Sequence, residues 1–132
     1  MPAQRLETRA VSGTFDARWQ QMSNAGERQR QGLRIETRRD GDTFVIELAG
    51  ELDLTSRAQF DEALAGAETS DADWILIDLD QLQFIDSTGL QGILAAKRRS
   101  AMRTDRLRVT RGTGFVADMF RLTALDKTLP FV

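Results

Sequence analysis

From Leu33 to Thr37 apolar and polar residues alternate, the period of a strand with one wet face, and Thr43-Phe-Val-Ile-Glu-Leu-Ala49 reads as a second strand. Asp40-Gly-Asp between them is a turn signal, so the two segments are expected to pair as an antiparallel hairpin. The pattern then changes period. Phe60, Ala63, Leu64 and Ala67 fall on one helical face, and Ser56 with Gln59 three residues on has the spacing of a capping box. Gly66, Ser70 and the aspartates around them are expected to end that helix. Trp74 to Asp80 is a near-continuous apolar run, as in a strand covered on both faces. Leu90, Ile93, Leu94 and Lys97 return to spacings of three and four, which predicts a helix reaching about Arg99. It closes on Lys97, Arg98 and Arg99, cations suited to a helix C-terminus. Leu107 to Thr110 reads as a short strand, and Gly112 and Gly114 as a loop. Phe115, Met119, Phe120, Leu122 and Leu125 lie in a helical stretch, and Thr128 to Val132 reads as a last strand that Pro130 confines to an edge.

A strand–helix–strand order implies a right-handed crossover and parallel pairing. The expected fold is therefore a single α/β domain over residues 32–132. It has a mostly parallel five-stranded sheet, an initial antiparallel hairpin, and helices packed against the sheet. Residues 1–31 form a polar, Arg/Gln-rich N-terminal extension, expected to be partly ordered. Phe15, Trp19 and Met22 lie there at helical spacing, so a docking helix anchored by Trp19 is the functional alternative to a solvated arm.

Composition narrows the chemistry. With 132 residues and 41% hydrophobic, the chain supports one modest core. A net charge of −2 suggests neither a nucleic-acid nor a membrane partner. The absence of cysteine removes disulfides and thiolate catalysis, and the absence of histidine removes Ser-His-Asp triads and histidine metal ligands. No catalytic residue, metal site or cofactor is expected. No segment has the apolar core of a signal or the length of a membrane span, so a cytoplasmic protein with no direct membrane insertion is expected. Charge is nonetheless uneven. Glu47 to Asp86 holds eleven acidic residues and one basic residue, Arg57, whereas Lys97 to Arg111 holds seven basic residues and one acidic residue, Asp105. The acidic run is either a solvated face or a surface that meets a basic partner. The basic run lacks interleaved aromatics and a nucleic-acid motif, and reads as the wet side of a helix and strand.

Between the apolar strand and the second helix lies Phe84-Ile-Asp-Ser-Thr-Gly-Leu-Gln-Gly92. In an open α/β sheet such a strand-to-helix turn sits on the functional edge. Thr88 with Gln91 has capping-box spacing, which would leave the Ser87 hydroxyl free to face solvent. A phosphate on Ser87 would then sit near backbone N–H groups at the positive end of the helix dipole. Spacing alone favours an ordinary helix-start serine, since Ser, Thr and Asp are the common caps. Gly89 is expected to let the helix start pack close to neighbouring backbone. Enzyme readings lose on pattern. Asp78-Leu-Asp80, at an expected strand end, has Leu82 where phosphoaspartate phosphotransferases carry Thr or Val. The acidic pair and lysine of receiver domains are missing, there is no Gly-x-x-x-x-Gly-Lys loop, and Asp86-Ser-Thr-Gly has one residue too many for an aspartic protease.

Taken together, these motifs resemble the STAS domain of bacterial anti-sigma-factor antagonists. The resemblance covers about residues 32–132. It rests on Gly50-Glu-Leu-Asp-Leu, Ile75-Leu-Ile-Asp-Leu, Phe84-Ile-Asp-Ser-Thr-Gly-Leu and Leu122-Thr-Ala-Leu-Asp-Lys. It implies a non-enzymatic regulator whose unphosphorylated form binds an anti-sigma serine kinase and releases the sigma factor. Ser87 matches the phosphorylated serine, and a serine/threonine phosphatase acting on phospho-Ser87 would restore binding. The partner surface implied comprises Asp53, Thr55, Asp86, Ser87, Thr88 and Gly89. The alternative within the same resemblance is a free-standing STAS subunit of a membrane lipid-transport complex.

Overall fold

A computed structural model describes residues 32–132, which belong to one compact unit, Gln31–Val132. The expectations for residues 1–31, the arm and the Phe15–Trp19–Met22 helix, lie outside the described residues. The elements in chain order are β1 (Leu33–Asp40), β2 (Thr43–Leu52), α1 (Arg57–Glu68), β3 (Trp74–Ile85), α2 (Ser87–Ala101), β4 (Leu107–Val109), α3 (Gly114–Leu122) and a 3₁₀ turn (Leu125–Lys127).

The sheet order is β1-β2-β3-β4, with β1 antiparallel to β2 and the remaining pairs parallel. Asp40 pairs with Thr43, so the hairpin loop has two residues, and Gly41 opens it at φ +64°, the left-handed conformation a type II′ turn places there. Ile46, Leu48, Ile75, Ile77, Leu107 and Val109 supply the strand side of one core. Phe60 and Leu64 of α1, Ile93 and Ala96 of α2, and Val116 and Phe120 of α3 close over it. The helical periodicity read from the sequence follows the buried stripe of α1 and α2, whereas α3 buries Val116 and Phe120 and leaves Phe115 and Leu122 exposed.

Two elements differ from the expected pattern. β3 is twelve residues long and continues past Asp80 to Ile85. Asp80, Gln81 and Gln83 interrupt the apolar run because they are exposed, while Leu79, Leu82 and Ile85 stay buried. Asp78 and Asp80 therefore lie inside the strand and not at its end. Asp78 Oδ1 accepts the Asp80 backbone N–H at 3.0 Å, while the Asp80 side chain is exposed.

The sheet has four strands among the described residues, and the expected fifth is reduced to a single parallel bridge, Val109 to Phe131. The reason is a shortage of donors. Leu129 N–H bonds back to Leu125 O, Phe131 N–H bonds to Leu129 O, and Pro130 has no N–H. Only the Pro130 carbonyl and the Val132 N–H remain to meet Val109, at 3.1 and 3.0 Å.

β2 reaches its end through register shifts on either side of Ala49–Gly50. Gly50 has φ +98°, and a Cβ there would fall 2.1 Å from the Gly32 carbonyl oxygen, so the position requires glycine. The neighbouring Glu51 N–H donates to that same carbonyl at 2.8 Å. This irregular passage restores the pairing of Leu52 with Ile85 and ends β2 and β3 side by side.

Candidate functional site

Because Leu52 and Ile85 are paired, the turn that follows β2 and the turn that follows β3 begin at adjacent positions on one sheet edge. Asp86 N–H donates to Leu52 O at 3.2 Å and joins them directly. Gly89 makes the contact tighter. A Cβ on it would lie 2.7 Å from Leu52 O, 2.8 Å from Ile85 Cγ1 and 2.9 Å from Leu52 Cγ.

In the first turn Asp53 is 5% exposed. Its Oδ1 accepts from Thr55 N–H (3.0 Å), Thr55 Oγ1 (2.7 Å) and Ser56 N–H (3.2 Å). The Ser56 hydroxyl donates to Glu51 O at 2.9 Å and accepts the Asp53 N–H at 3.0 Å. The capping box expected of Ser56 and Gln59 is therefore not formed. Ser56 is the N-cap of α1 without a side-chain bond to the helix, the Asp53 carboxylate takes the Ser56 N–H, and Gln59 Nε2 reaches across to donate to Leu33 O of β1 at 3.0 Å. Leu54, one residue after Asp53, is 74% exposed at the tip of the turn.

In the second turn the cap is Asp86, with Oδ1 accepting the Gly89 N–H at 3.0 Å. The Thr88–Gln91 box is not formed. Asp86 precedes Thr88 and takes the orphan donor of the first helical turn, and Ser87 becomes the first helical residue. The Ser87 side chain is exposed and makes no hydrogen bond to the described residues. The freedom expected of this hydroxyl thus arises from a different cap than the spacing suggested.

The expected site residues separate by exposure. Thr55 and Ser87 are exposed, Asp86 and Thr88 are half-buried, and Asp53 and Gly89 are buried. The buried pair shapes the two turns and is not open to an incoming surface.

Three features were not read from the sequence. Arg57, the lone base of the acidic stretch, bridges the turns. It donates through NH1 to Thr88 O (3.0 Å) and through Nε to Asp61 Oδ1 (3.0 Å), and lies where a Gly92 Cβ would come within 2.8 Å. Its isolation in charge was the available signal. Leu54 stands out from the same edge. Phe84 and Phe115 stack with ring centroids 5.2 Å apart and planes 7° apart, and Phe115 is 45% exposed. No local pattern joins two rings 31 positions apart in sequence.

A family described as Mlab, STAS domain, matches residues 35–132. Several solved structures share the fold. An anti-sigma factor antagonist from Mycobacterium paratuberculosis is 24% identical, with a TM-score of 0.67 over 76% of this chain and 85% of that one. The anti-sigma factor antagonist SpoIIAA in its unphosphorylated form is 20% identical, with a TM-score of 0.54 over 72% of this chain and 97% of that one. The Bacillus cell fate determinant SpoIIAA in its phosphorylated form is 21% identical, with a TM-score of 0.58 over 75% and 89%. No curated protein matches the chain. Among the described residues no helix is long and apolar enough to cross a membrane.

Proposed function

We propose that this chain, which belongs to the STAS-domain family, is a non-catalytic anti-sigma-factor antagonist switched by phosphorylation of Ser87. The observation that carries the reading is the state of that serine: exposed, at the first position of a helix, and relieved of structural duty by the Asp86 cap. A kinase can reach such a hydroxyl, and the fold does not depend on it. The structural neighbours named as antagonists, one of them solved in phosphorylated form, support the same reading.

The physical effect of modification falls on the surface. A phosphate adds about −1.5 to −2 charges and three acceptor oxygens. It would stand beside the Asp86 carboxylate on an edge that also presents Leu54. A partner seated over Leu54 and Thr55 would meet a hydrated dianion where it had met a small hydroxyl. Displacing a packed contact or opposing like charge costs several kcal/mol at an interface, on the order of a hundredfold or more in affinity. In this reading the unphosphorylated form captures an anti-sigma serine kinase, the kinase phosphorylates Ser87 and is released, and a serine/threonine phosphatase resets the cycle in the cytoplasm. Residues 32–132 carry the switch, and residues 1–31 are an extension to it.

Affinity capture with Ser87→Ala and Ser87→Asp baits tests this. A serine-kinase-type ATPase retained by the alanine bait and lost from the aspartate bait is the expected result. Membrane-transporter subunits on both baits would replace this reading with that of a transport-complex subunit, and equal capture of the kinase by both would remove Ser87 as the switch.

A further inference from the structure

The opposite edge of the sheet, where β3 and β4 begin, holds a cavity of about 190 Å³ between the C-terminal ends of α1 and α2. Ile75, Ala96 and Leu107 give it an apolar floor. Arg99, Arg103 and Arg106 stand around it, with Glu68 the one carboxylate among its described lining residues.

The three guanidinium groups are differently committed. Arg106 is fixed by the carbonyls of Glu68, Ser70 and Ala72, so its charge faces no carboxylate. Arg99 spends Nε and NH2 on Glu68 at 3.0 Å each, which leaves its other terminal nitrogen without a partner among the described residues. The Arg103 side chain makes no hydrogen bond or ion pair to the described residues and is exposed. The local balance is therefore positive, over a concave apolar floor that focuses the field of those charges. Planar guanidinium groups match the oxygens of carboxylates and phosphates in pairs. The size is informative as well, since an apolar cavity of about 150 Å³ holds a benzene molecule.

We infer that this cavity is a binding site for a small organic anion, a carboxylate or phosphate ester carried on an apolar body of about the size of one ring. The ring lies on Ile75, Ala96 and Leu107, and the acidic group meets Arg103 and the free side of Arg99. The site is separate from the Ser87 turn. It lies at the far end of α2, whose fifteen residues span about 22 Å.

The test is an amide NMR titration of the full chain with phenyl phosphate, benzoate, inorganic phosphate and benzylamine. Phenyl phosphate and benzoate are expected to saturate and to move the amides of residues 99–107. Inorganic phosphate, with no apolar body, is expected to bind about tenfold more weakly or not at all. Benzylamine, with the ring but the wrong charge, is expected not to saturate. Arg103→Gln should weaken phenyl phosphate by about tenfold, the loss of one charge-assisted contact. Arg98→Gln, an exposed neighbour that does not line the cavity, should leave binding within about twofold. Both arginines are exposed, so neither change threatens the fold. Shifts that grow without saturating, equal losses in the two variants, or inorganic phosphate binding as well as phenyl phosphate would each overturn the inference and leave only a basic surface.

Discussion

The two turns that follow β2 and β3 share an aspartate and a threonine and do opposite things with their serines. One reads Asp53-Leu-Thr-Ser56 and the other Asp86-Ser-Thr-Gly89. In each, the aspartate carboxylate accepts the N–H of the residue three positions on. In each, the residue one position on faces outward: Leu54 at 74% exposure, and Ser87. In each, the residue three positions on is buried, as Ser56 and as Gly89. Position after the aspartate therefore decides what a serine is for. At the third position it is a structural hydroxyl, and at the first it is exposed to solvent with no bond to hold. Residue type alone does not separate the two.

The comparison breaks most severely at Gly89. Its missing side chain is what lets the two turns touch, and the nearest atom to an added Cβ is a backbone oxygen that cannot step aside. Gly89→Ala is expected to cost about 3 kcal/mol, the upper part of the range for overpacking. In a domain of this size that lowers the melting temperature by more than about 10 °C. The equivalent change in the first turn, Ser56→Ala, removes a hydroxyl that both donates and accepts. It is expected to cost about 1–2 kcal/mol, because the buried Asp53 N–H loses its side-chain acceptor. Differential scanning calorimetry of the two variants ranks them. A Gly89→Ala protein as stable as wild type would mean that the turns are less closely packed than described.

The two aspartates sharpen the comparison at the next level. Asp53 accepts from two backbone N–H groups and a threonine hydroxyl while buried, whereas Asp86 accepts one N–H while half-buried. Asp53→Ala is expected to cost about 2 kcal/mol and Asp86→Ala about 1 kcal/mol, the ordinary value of a helix cap. Urea unfolding measures both, and the reverse order would show that the first turn does not hang on its carboxylate.

How much of this was legible beforehand depends on how far each feature reaches along the chain. The hairpin, the parallel crossover and the apolar stripes of the first two helices follow from periodicity, since a strand or helix repeats its signal over many residues; the third helix is short, and its buried Val116 did not stand out beside the exposed Phe115 and Leu122. Both capping boxes failed because the box is a two-residue signal and a competitor stood nearby. Asp53 takes the Ser56 N–H that Gln59 would accept, Asp86 caps its helix two residues before Thr88, which places Thr88 inside the helix, and Gln59 donates to the Leu33 carbonyl on another strand. β3 was read short because its later polar residues are outward-facing members of a continuing strand. The anion cavity was invisible for a different reason, since its walls come from α1, β3, α2 and the segment before β4. The seven bases between Lys97 and Arg111 gave the right composition but no sign that three of them converge.

The smallest expected effect is the most telling, because it isolates the outward position. Ser87 makes no hydrogen bond to the described residues, and Asp86 already satisfies the Gly89 N–H. Ser87→Ala is therefore expected to shift stability by no more than about 0.5 kcal/mol. Ser87→Asp adds a negative charge at the first helical position, where the helix dipole favours it by about 0.3–1 kcal/mol, and sets it beside Asp86, which opposes it. The two terms nearly cancel, so this variant should also melt within a few degrees of wild type. Thermal melts of both proteins alongside Ser56→Ala make the contrast direct: one serine costs stability when removed and the other does not. A Ser87 variant that unfolds as readily as Ser56→Ala would make the hydroxyl structural and erase the distinction between the first and third positions. Near-native stability in both Ser87 variants means that any difference in what they bind arises at the surface, where a phosphate would act.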